Sequence, residues 1–389
     1  MNSPRLRIFN TSSHVCTVYL TMLARETRQA GDIDILFLDA GARRKGSVEV
    51  ILQTAKLHEW AKVHDFSISF DESKGYKPST RKVITRRIKA WPVIRSIYNF
   101  LLASHMKSQD KKYRPLLSEI LDPFIKDKKS IEIFQLTQTA LNRQLMQLFP
   151  DASINYIEHG VIDYLFVLKP ETPKGNFYGV FAEQYKRYLQ KRNLPTDWVR
   201  QIPGTSDFPI IADENILRLS EKIHFEQLDI PDKPCVFVVL EAVDIYYVKP
   251  TFWGEYMDRI FAQLPYPEKF HYLLKPHPMQ SEESLTATIK HFDSLGYQYT
   301  LLNQSSMSMV CAEVLFTLWK KKIEHVFCLF SAACFYLSLL YANEKIKFWY
   351  STDFMRKHAD KAPPDIHKAF LGACELIEEV FVDNCTAYK

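Results

Sequence analysis

The sequence predicts an α/β protein with two doubly wound parallel sheets. Three observations predict it. Short runs such as Ile33–Leu38 and Cys235–Leu240 are almost wholly apolar, as strands covered by helices on both faces are. Amphipathic helical stretches separate these runs, the alternation of βαβ units. The 389 residues suffice for two domains at about 100–200 residues each, and Ile230-Pro231-Asp232-Lys233-Pro234 reads as the entry to a second half.

In chain order, Arg5–Phe9 is a strand, Asn10-Thr11-Ser12-Ser13 a capping turn, and a helix runs to Gln29. Strand Ile33–Leu38 leads through the basic loop Gly41–Gly46 to a helix ending near His64, then a short strand Phe66–Phe70. Ser130–Leu136 is a strand, Thr139–Phe149 a helix and Ile154–Ile157 a strand. In the second half Cys235–Leu240, Tyr272–Leu274, Tyr297–Leu302, Val326–Phe330 and Lys345–Tyr350 are strands. Helices are expected at Phe252–Leu264, Ser281–Leu295, Met307–Lys320, after Ser331 and at Pro364–Val382. The run Val326–Ala342 falls just short of a membrane span, and Ser331 divides it into a strand and a helix. The expected division is a first domain over 1–205, a linker region over 206–234, a second domain over 235–355 and a helical segment over 356–389.

Composition excludes several classes. Apolar residues at 47% and charged residues at 24% are those of a folded globular chain. The net charge of +5 is too small to argue for nucleic acid, and no nucleic-acid partner is expected. With 11 Gly, the chain has neither a GxGxxG nor a GxxxxGK[ST] sequence. Seven Cys without a CxxC pair suggest a reducing compartment and no zinc site. Met1–Phe9 lacks the apolar core of a signal peptide, so a cytoplasmic location is expected. Asp32-Ile33-Asp34 precedes its strand and reads as a polar edge rather than a metal dyad, and no metal is expected.

Ligands of doubly wound sheets bind outside the carboxyl ends of the strands, and three candidate sites follow strands. Lys275-Pro276-His277-Pro278 is the first. With 12 His and 20 Pro, about 0.6 His-Pro pairs arise by chance, so position gives the pair its weight. Prolines stiffen the turn and aim the imidazole, which could meet a phosphate as charge builds on a leaving group. Ser331-Ala332 opens a helix, where backbone N–H groups and the helix dipole suit an anion. Glu158-His159-Gly160 supplies a carboxylate or an imidazole as general base, with Gly160 allowing close approach of an acceptor. Separately, Lys74–Gln109 carries nine Lys or Arg and no acid. Arg81, Lys82, Arg86, Arg87, Lys89 and Trp91 lie in it, a pattern suited to an anionic lipid surface or an anionic glycan.

The order acid-x-Gly, His-Pro, then a Ser-opened helix resembles bacterial sialyltransferases of the capsular polysialyltransferase and lipooligosaccharide sialyltransferase type. That resemblance implies a GT-B fold, with two Rossmann-like domains facing a cleft, and an inverting, metal-independent transfer from CMP-sialic acid. It implies that Glu158 is the general base and that His277 and Pro278 meet the CMP phosphate beside Lys275. It also implies that Ser331, with Ala332, binds phosphate or carboxylate. His159 and Ala332 depart from the family pattern, and Glu-His-Gly is also similar to Kdo transferases that use a CMP-activated keto-sugar acid. His159 and Gly160 would then face the acceptor. The expected partners are a CMP-activated sugar acid, an oligosaccharide or lipid-linked glycan acceptor and an anionic membrane surface, with the enzyme peripheral to the inner face of the bacterial cytoplasmic membrane. Two other readings stand beside it: a CDP-polyol-type phosphotransferase of cell-surface polymers, and a catalytically silent GT-B-like glycan-binding partner.

Overall fold

The computed structural model describes residues 4–39, 46–66, 114–125, 130–136, 140–169, 174–223, 225, 228–241, 252–278, 280–358 and 364–388. The basic stretch with Arg81, Lys82, Arg86, Arg87, Lys89 and Trp91 lies outside them.

The first sheet has seven strands in the order β3-β2-β1-β4-β5-β6-β7. They are β1 (Arg5–Thr11), β2 (Ile33–Leu38), β3 (Lys62–Asp65), β4 (Ser130–Gln135), β5 (Ser153–Ile157), β6 (Asn176–Gly179) and β7 (Val199–Gln201). Helices α1 (His14–Thr27), α2 (Ser47–Ala55), α3 (114–125), α4 (Ala140–Leu148), α5 (Asp163–Phe166), α6 (Ala182–Gln190) and α7 (Phe208–Ser220) connect or follow them. The second sheet has six strands in the order β10-β9-β8-β11-β12-β13. They are β8 (Cys235–Val239), β9 (His271–Lys275), β10 (Tyr299–Leu301), β11 (Ile323–Phe327), β12 (Lys347–Tyr350) and β13 (Cys385–Ala387). Their helices are α8 (Phe252–Ala262), α9 (Glu282–Leu295), α10 (Ala312–Trp319), α11 (Ala332–Leu340), α12 (Thr352–His358) and α13 (Pro364–Val380). The described strand registers are parallel in both sheets.

The chain divides into two compact units: Met1–Ser12, Thr27–Arg43 and Glu59–Ile157 in one, Ser13–Glu26, Arg44–His58 and Glu158–Lys389 in the other. The first unit packs Leu6, Ile8, Ile35 and Phe37 against Leu117, Leu121, Leu141 and Leu145. Charges enter these apolar strands only as pairs. Arg7 and Asp34, opposite in register, are fully buried and joined by two bonds of 2.7 and 2.6 Å, the geometry that makes a buried ion pair tolerable. Asp32 is taken up in the same way by Arg5 at 2.6 Å. The Asp32-Ile33-Asp34 dyad is therefore spent on strand pairing. All five β8 residues are buried, and Val236 and Val238 share one core of the second unit with helix α8 and Phe327.

Several boundaries differ from expectation. The expected helix to His64 ends at Ala55, and the next strand begins at Lys62 rather than Phe66. The polar KVHD sequence pairs with β2 despite lacking an apolar run. Strand β11 sits three residues earlier than expected, and a 3₁₀ turn (Ser305–Met309) replaces the first part of the helix expected from Met307. The expected linker holds the thirteen-residue α7. The Val326–Ala342 run is divided at Ser331 as expected. Among the described residues no helix is long and apolar enough to cross a membrane.

Candidate active site

β5 ends in the turn Glu158-His159-Gly160. Glu158 follows the sheet, its N–H donating to Tyr178 O at 3.1 Å, so its side chain turns inward and is fully buried. Oε2 accepts from the Val180 N–H at 2.8 Å and from the Tyr164 hydroxyl. Gly179 makes this possible: a Cβ there would lie 2.5 Å from the Tyr164 hydroxyl and 2.9 Å from Oε2. Burial pushes the Glu158 carboxyl up to about 8 against these bonds. The Tyr336 hydroxyl eases its ionisation but makes no well-directed hydrogen bond. Oε1 and the hydroxyls of Tyr19 and Tyr336 are buried without partners. With no exposed surface and bonds to Val180 and Tyr164, Glu158 fixes the turn.

His159 has the opposite setting. Its side chain is 36% exposed, and Nδ1 lies 2.6 Å from Asp163 Oδ2, whose side chain is buried. The same oxygen accepts the His159 backbone N–H at 2.8 Å, and Asp163 N–H donates to Gly160 O at 3.1 Å. A carboxylate on Nδ1–H orients the ring, fixes the tautomer and leaves Nε2 as the proton-accepting atom. Space opens around Gly160, where a Cβ would meet nothing within 4 Å. Asp163 was not anticipated; its signal was the spacing of four from His159.

β9 ends at Lys275, buried to 3% exposure. Its Nζ donates to Pro276 O at 2.8 Å and Ser308 O at 3.0 Å, tying the His-Pro turn to the 3₁₀ turn before α10. Beyond it His277 is exposed and Pro278 half-buried. The His277 carbonyl accepts Gln280 N–H at 2.9 Å, and Ser281 then caps α9 through Ser284 N–H at 3.1 Å. The turn is stiff and its imidazole faces outward.

β11 leads to Ser331, the N-cap of α11, with extended backbone and no cap bond from its hydroxyl. Ala332 is the first helical residue. The backbone N–H groups of Leu329 and Phe330, just before Ser331, are bonded to buried Glu241 at 3.0 Å each. Glu241 was also not anticipated: it lies just past the apolar run that drew attention to β8.

All these residues belong to the second compact unit. Tyr19 lies within electrostatic range of Glu158 and Glu313, and Glu313 within range of Lys275. Among the described residues no group of three or more His, Cys, Asp or Glu is arranged to hold a metal ion.

No protein-family model and no curated protein matches the sequence. Solved structures do. UDP-GlcNAc 2-epimerase from Methanocaldococcus jannaschii, solved with UDP-GlcNAc and UDP, is 12% identical, covers 99% of this chain and 94% of its own, and superposes with a TM-score of 0.51. The fold is of the GT-B kind. The Neisseria meningitidis UDP-GlcNAc 2-epimerase bound to UDP-GlcNAc (13% identity, 85% of this chain and 79% of that one, TM-score 0.48) is more distant in shape. So is a Rickettsia africae glycosyltransferase (10%, 98% and 95%, TM-score 0.43). At such identities what is shared with the GT-B-like epimerase is the fold alone, and these likenesses do not single out a sialyltransferase.

Proposed function

We propose that this GT-B-like chain is an inverting glycosyltransferase that moves a sialic acid or related sugar acid from its CMP donor to a glycan hydroxyl. The observation that carries the reading is the His159–Asp163 pair at the end of β5, in the same unit as the His-Pro turn and the α11 start. In this reading His159 Nε2 takes the proton of the acceptor hydroxyl. The acceptor oxygen bonds to the anomeric carbon as the bond from that carbon to the CMP phosphate oxygen breaks. His277 meets the charge that grows on the departing phosphate. The base role that the sialyltransferase resemblance gives Glu158 passes to its neighbour, and Glu158 positions the turn. The reading is supported by the fold and by the chemistry of the three strand ends. The basic, aromatic stretch Lys74–Gln109 supports a place at the inner membrane face, near a lipid-linked acceptor.

Calorimetric titration with CMP, and with CDP, UMP and UDP as controls, tests it. Selective CMP binding that is lost in His277→Ala is expected. Preference for CDP or UDP points to a polyol-phosphate or ordinary sugar transferase, and no nucleotide binding removes the enzyme reading.

A further inference from the structure

α10 begins at Ala312, and its N-cap Cys311 makes no side-chain cap bond. The Cys311 backbone N–H donates instead to a residue far away in the chain, His14 Nδ1, at 2.8 Å. His14 opens α1 and is 5% exposed. Its Nε2 lies 2.8 Å from Asn215 Oδ1 on α7. Asn215 Nδ2 donates to Thr54 Oγ1 on α2 at 2.8 Å, and the Thr54 hydroxyl donates to Val50 O at 2.8 Å. His14, Thr54, Asn215 and Cys311 all belong to the second compact unit. A backbone N–H can only donate, so Nδ1 is the acceptor and Nε2 carries the proton. Every bond of the chain then points one way, from Cys311 to Val50.

The segment that ends at Cys311 also receives Lys275. Ser308 lies in the 3₁₀ turn Ser305–Met309, three residues before Cys311, and its carbonyl accepts from the buried Lys275 ammonium at 3.0 Å. Val310 N–H closes back on Met307 O at 3.1 Å, so Cys311 and the Ser308 carbonyl are parts of one short closed turn. Lys275 stands directly before Pro276-His277-Pro278. A protonated His14 would set a second N–H against the Cys311 N–H and break their bond. Burial, with a smaller push from the Lys275 charge, lowers His14 to about 4 against the Asn215 bond. At the α10 start Glu313 and the Cys311 thiol lie near Lys275, while α7 and α2 present the neutral Asn215 and Thr54.

We propose that His14 is a positioning residue of the His-Pro turn: in its Nε2–H form it holds the Cys311 amide, and through residues 305–311 it places the carbonyl that fixes Lys275 and so aims His277. That a donor phosphate meets this turn rests on the CMP reading, but the hold of His14 on Lys275 does not.

The test reads Lys275 directly. The full chain is treated with a lysine-acylating N-hydroxysuccinimide ester, and labelling of Lys275 is followed by peptide mass spectrometry relative to exposed Lys321. CMP is titrated into the same proteins by calorimetry. His14→Phe keeps a ring and removes the acceptor. It is expected to speed the relative labelling of Lys275 by about tenfold or more and to weaken CMP by about tenfold, the scale of a lost hydrogen bond. His14→Asn, whose Oδ1 stands where Nδ1 does, should recover most of both. Asn215→Asp guards against a His14→Phe chain that fails to fold. Its carboxylate beside Nε2 favours the charged ring, so relative labelling should rise as pH falls from about 8 to about 6, and the rise should vanish when His14→Asn is added. Lys275 as protected in His14→Phe as in wild type, a flat Asn215→Asp profile, or a His14→Asn protein that behaves like His14→Phe overturns the proposal. So does a released Lys275 that leaves CMP binding at its wild-type strength. Released Lys275 with no CMP binding in any protein, wild type included, leaves His14 in this role and removes the CMP reading. CMP binding lost in His277→Ala yet unchanged in His14→Phe, with Lys275 still protected, does the reverse.

Discussion

Glu158 and Glu241 are the same device at two places. Each follows a strand, each is buried, and each binds amides just past the neighbouring strand, Val180 after β6 and Leu329 and Phe330 after β11. Burial lifts both carboxyls to about 8. What differs is topology. β5 and β6 are consecutive strands on one side of their sheet, whereas β8 and β11 flank a reversal of strand order. Glu158 also has the Tyr164 hydroxyl on the oxygen that holds the amide, while Glu241 makes only amide bonds. A buried acid at a strand end is therefore no sign of a site by itself. Where the order reverses, the same acid lies at the position where open parallel sheets generally take ligands.

The largest effect that could break this comparison is at the β5 turn. His159→Gln is expected to lower turnover by about 10²–10⁴-fold, the scale of a general base. Glu158→Gln, which keeps an acceptor for Val180 and a partner for Tyr164, should stay within about tenfold of wild type, well short of that loss. Steady-state rates of both variants decide the matter. A dead Glu158→Gln beside an active His159→Gln would return the base role to Glu158. Asp163→Asn should lower turnover with little change in KM, because it disturbs the tautomer of His159 rather than substrate contact.

Gly179→Ala comes next. Its Cβ would press on the Tyr164 hydroxyl and Glu158 Oε2, and overpacking of this kind costs about 1–3 kcal/mol. Denaturant unfolding should show the loss, and adding Glu158→Ala should restore part of it by removing one of the two clashing groups. Wild-type stability in Gly179→Ala alone would mean that the Glu158–Tyr164 pair is looser than the structure shows.

Strands such as β2 and β8 were legible because both faces are covered and their residues are apolar without interruption. β6 (NFYG), β7 (VRQ) and β13 (CTA) were not. At three or four residues a strand has no measurable period, and only its pairing with a neighbour defines it. The three motif turns were legible as positions after strands. Their burial was not: nothing local distinguishes Glu158, fully buried, from His159, whose side chain is 36% exposed. That difference comes from Gly179 and Tyr164, brought in by later elements. Glu241 was invisible for the same reason, since its partners are defined by the fold, whereas Asp163 carried one local signal, its spacing of four from His159.

Smaller in effect is the dependence of stability on pH. The folded pKa of Glu158 is raised above its unfolded value of 4.5 to about 8. Its contribution is complete below pH 4.5 and is lost as pH rises through 8, with a slope of at most about 1.4 kcal/mol per unit. His14 runs the other way. Burial lowers it from 6.5 to about 4, and Nδ1 accepts the Cys311 N–H at 2.8 Å. Its contribution is complete above pH 6.5 and is lost as pH falls towards 4. Glu158→Gln should flatten the alkaline limb of a melting-temperature profile and His14→Asn the acid limb. An alkaline limb unchanged in Glu158→Gln would place the group with the raised pKa elsewhere, with Glu241 the next candidate.

The smallest expected change is the most selective. Ser281 and Ser331 both open helices, but only Ser281 bonds its own helix, accepting Ser284 N–H at 3.1 Å. Ser331 makes no such bond. Ser281→Ala should therefore cost about 1 kcal/mol, the usual value of an N-cap. Ser331→Ala should change stability by less than about 0.5 kcal/mol, as substitutions away from specific interactions do. A hydroxyl that does nothing for its own helix is available to a ligand. If Ser331→Ala leaves unfolding unchanged and weakens phosphate or CMP in calorimetry, the hydroxyl acts on the anion. If both quantities are unchanged, recognition at this turn rests on backbone N–H groups alone.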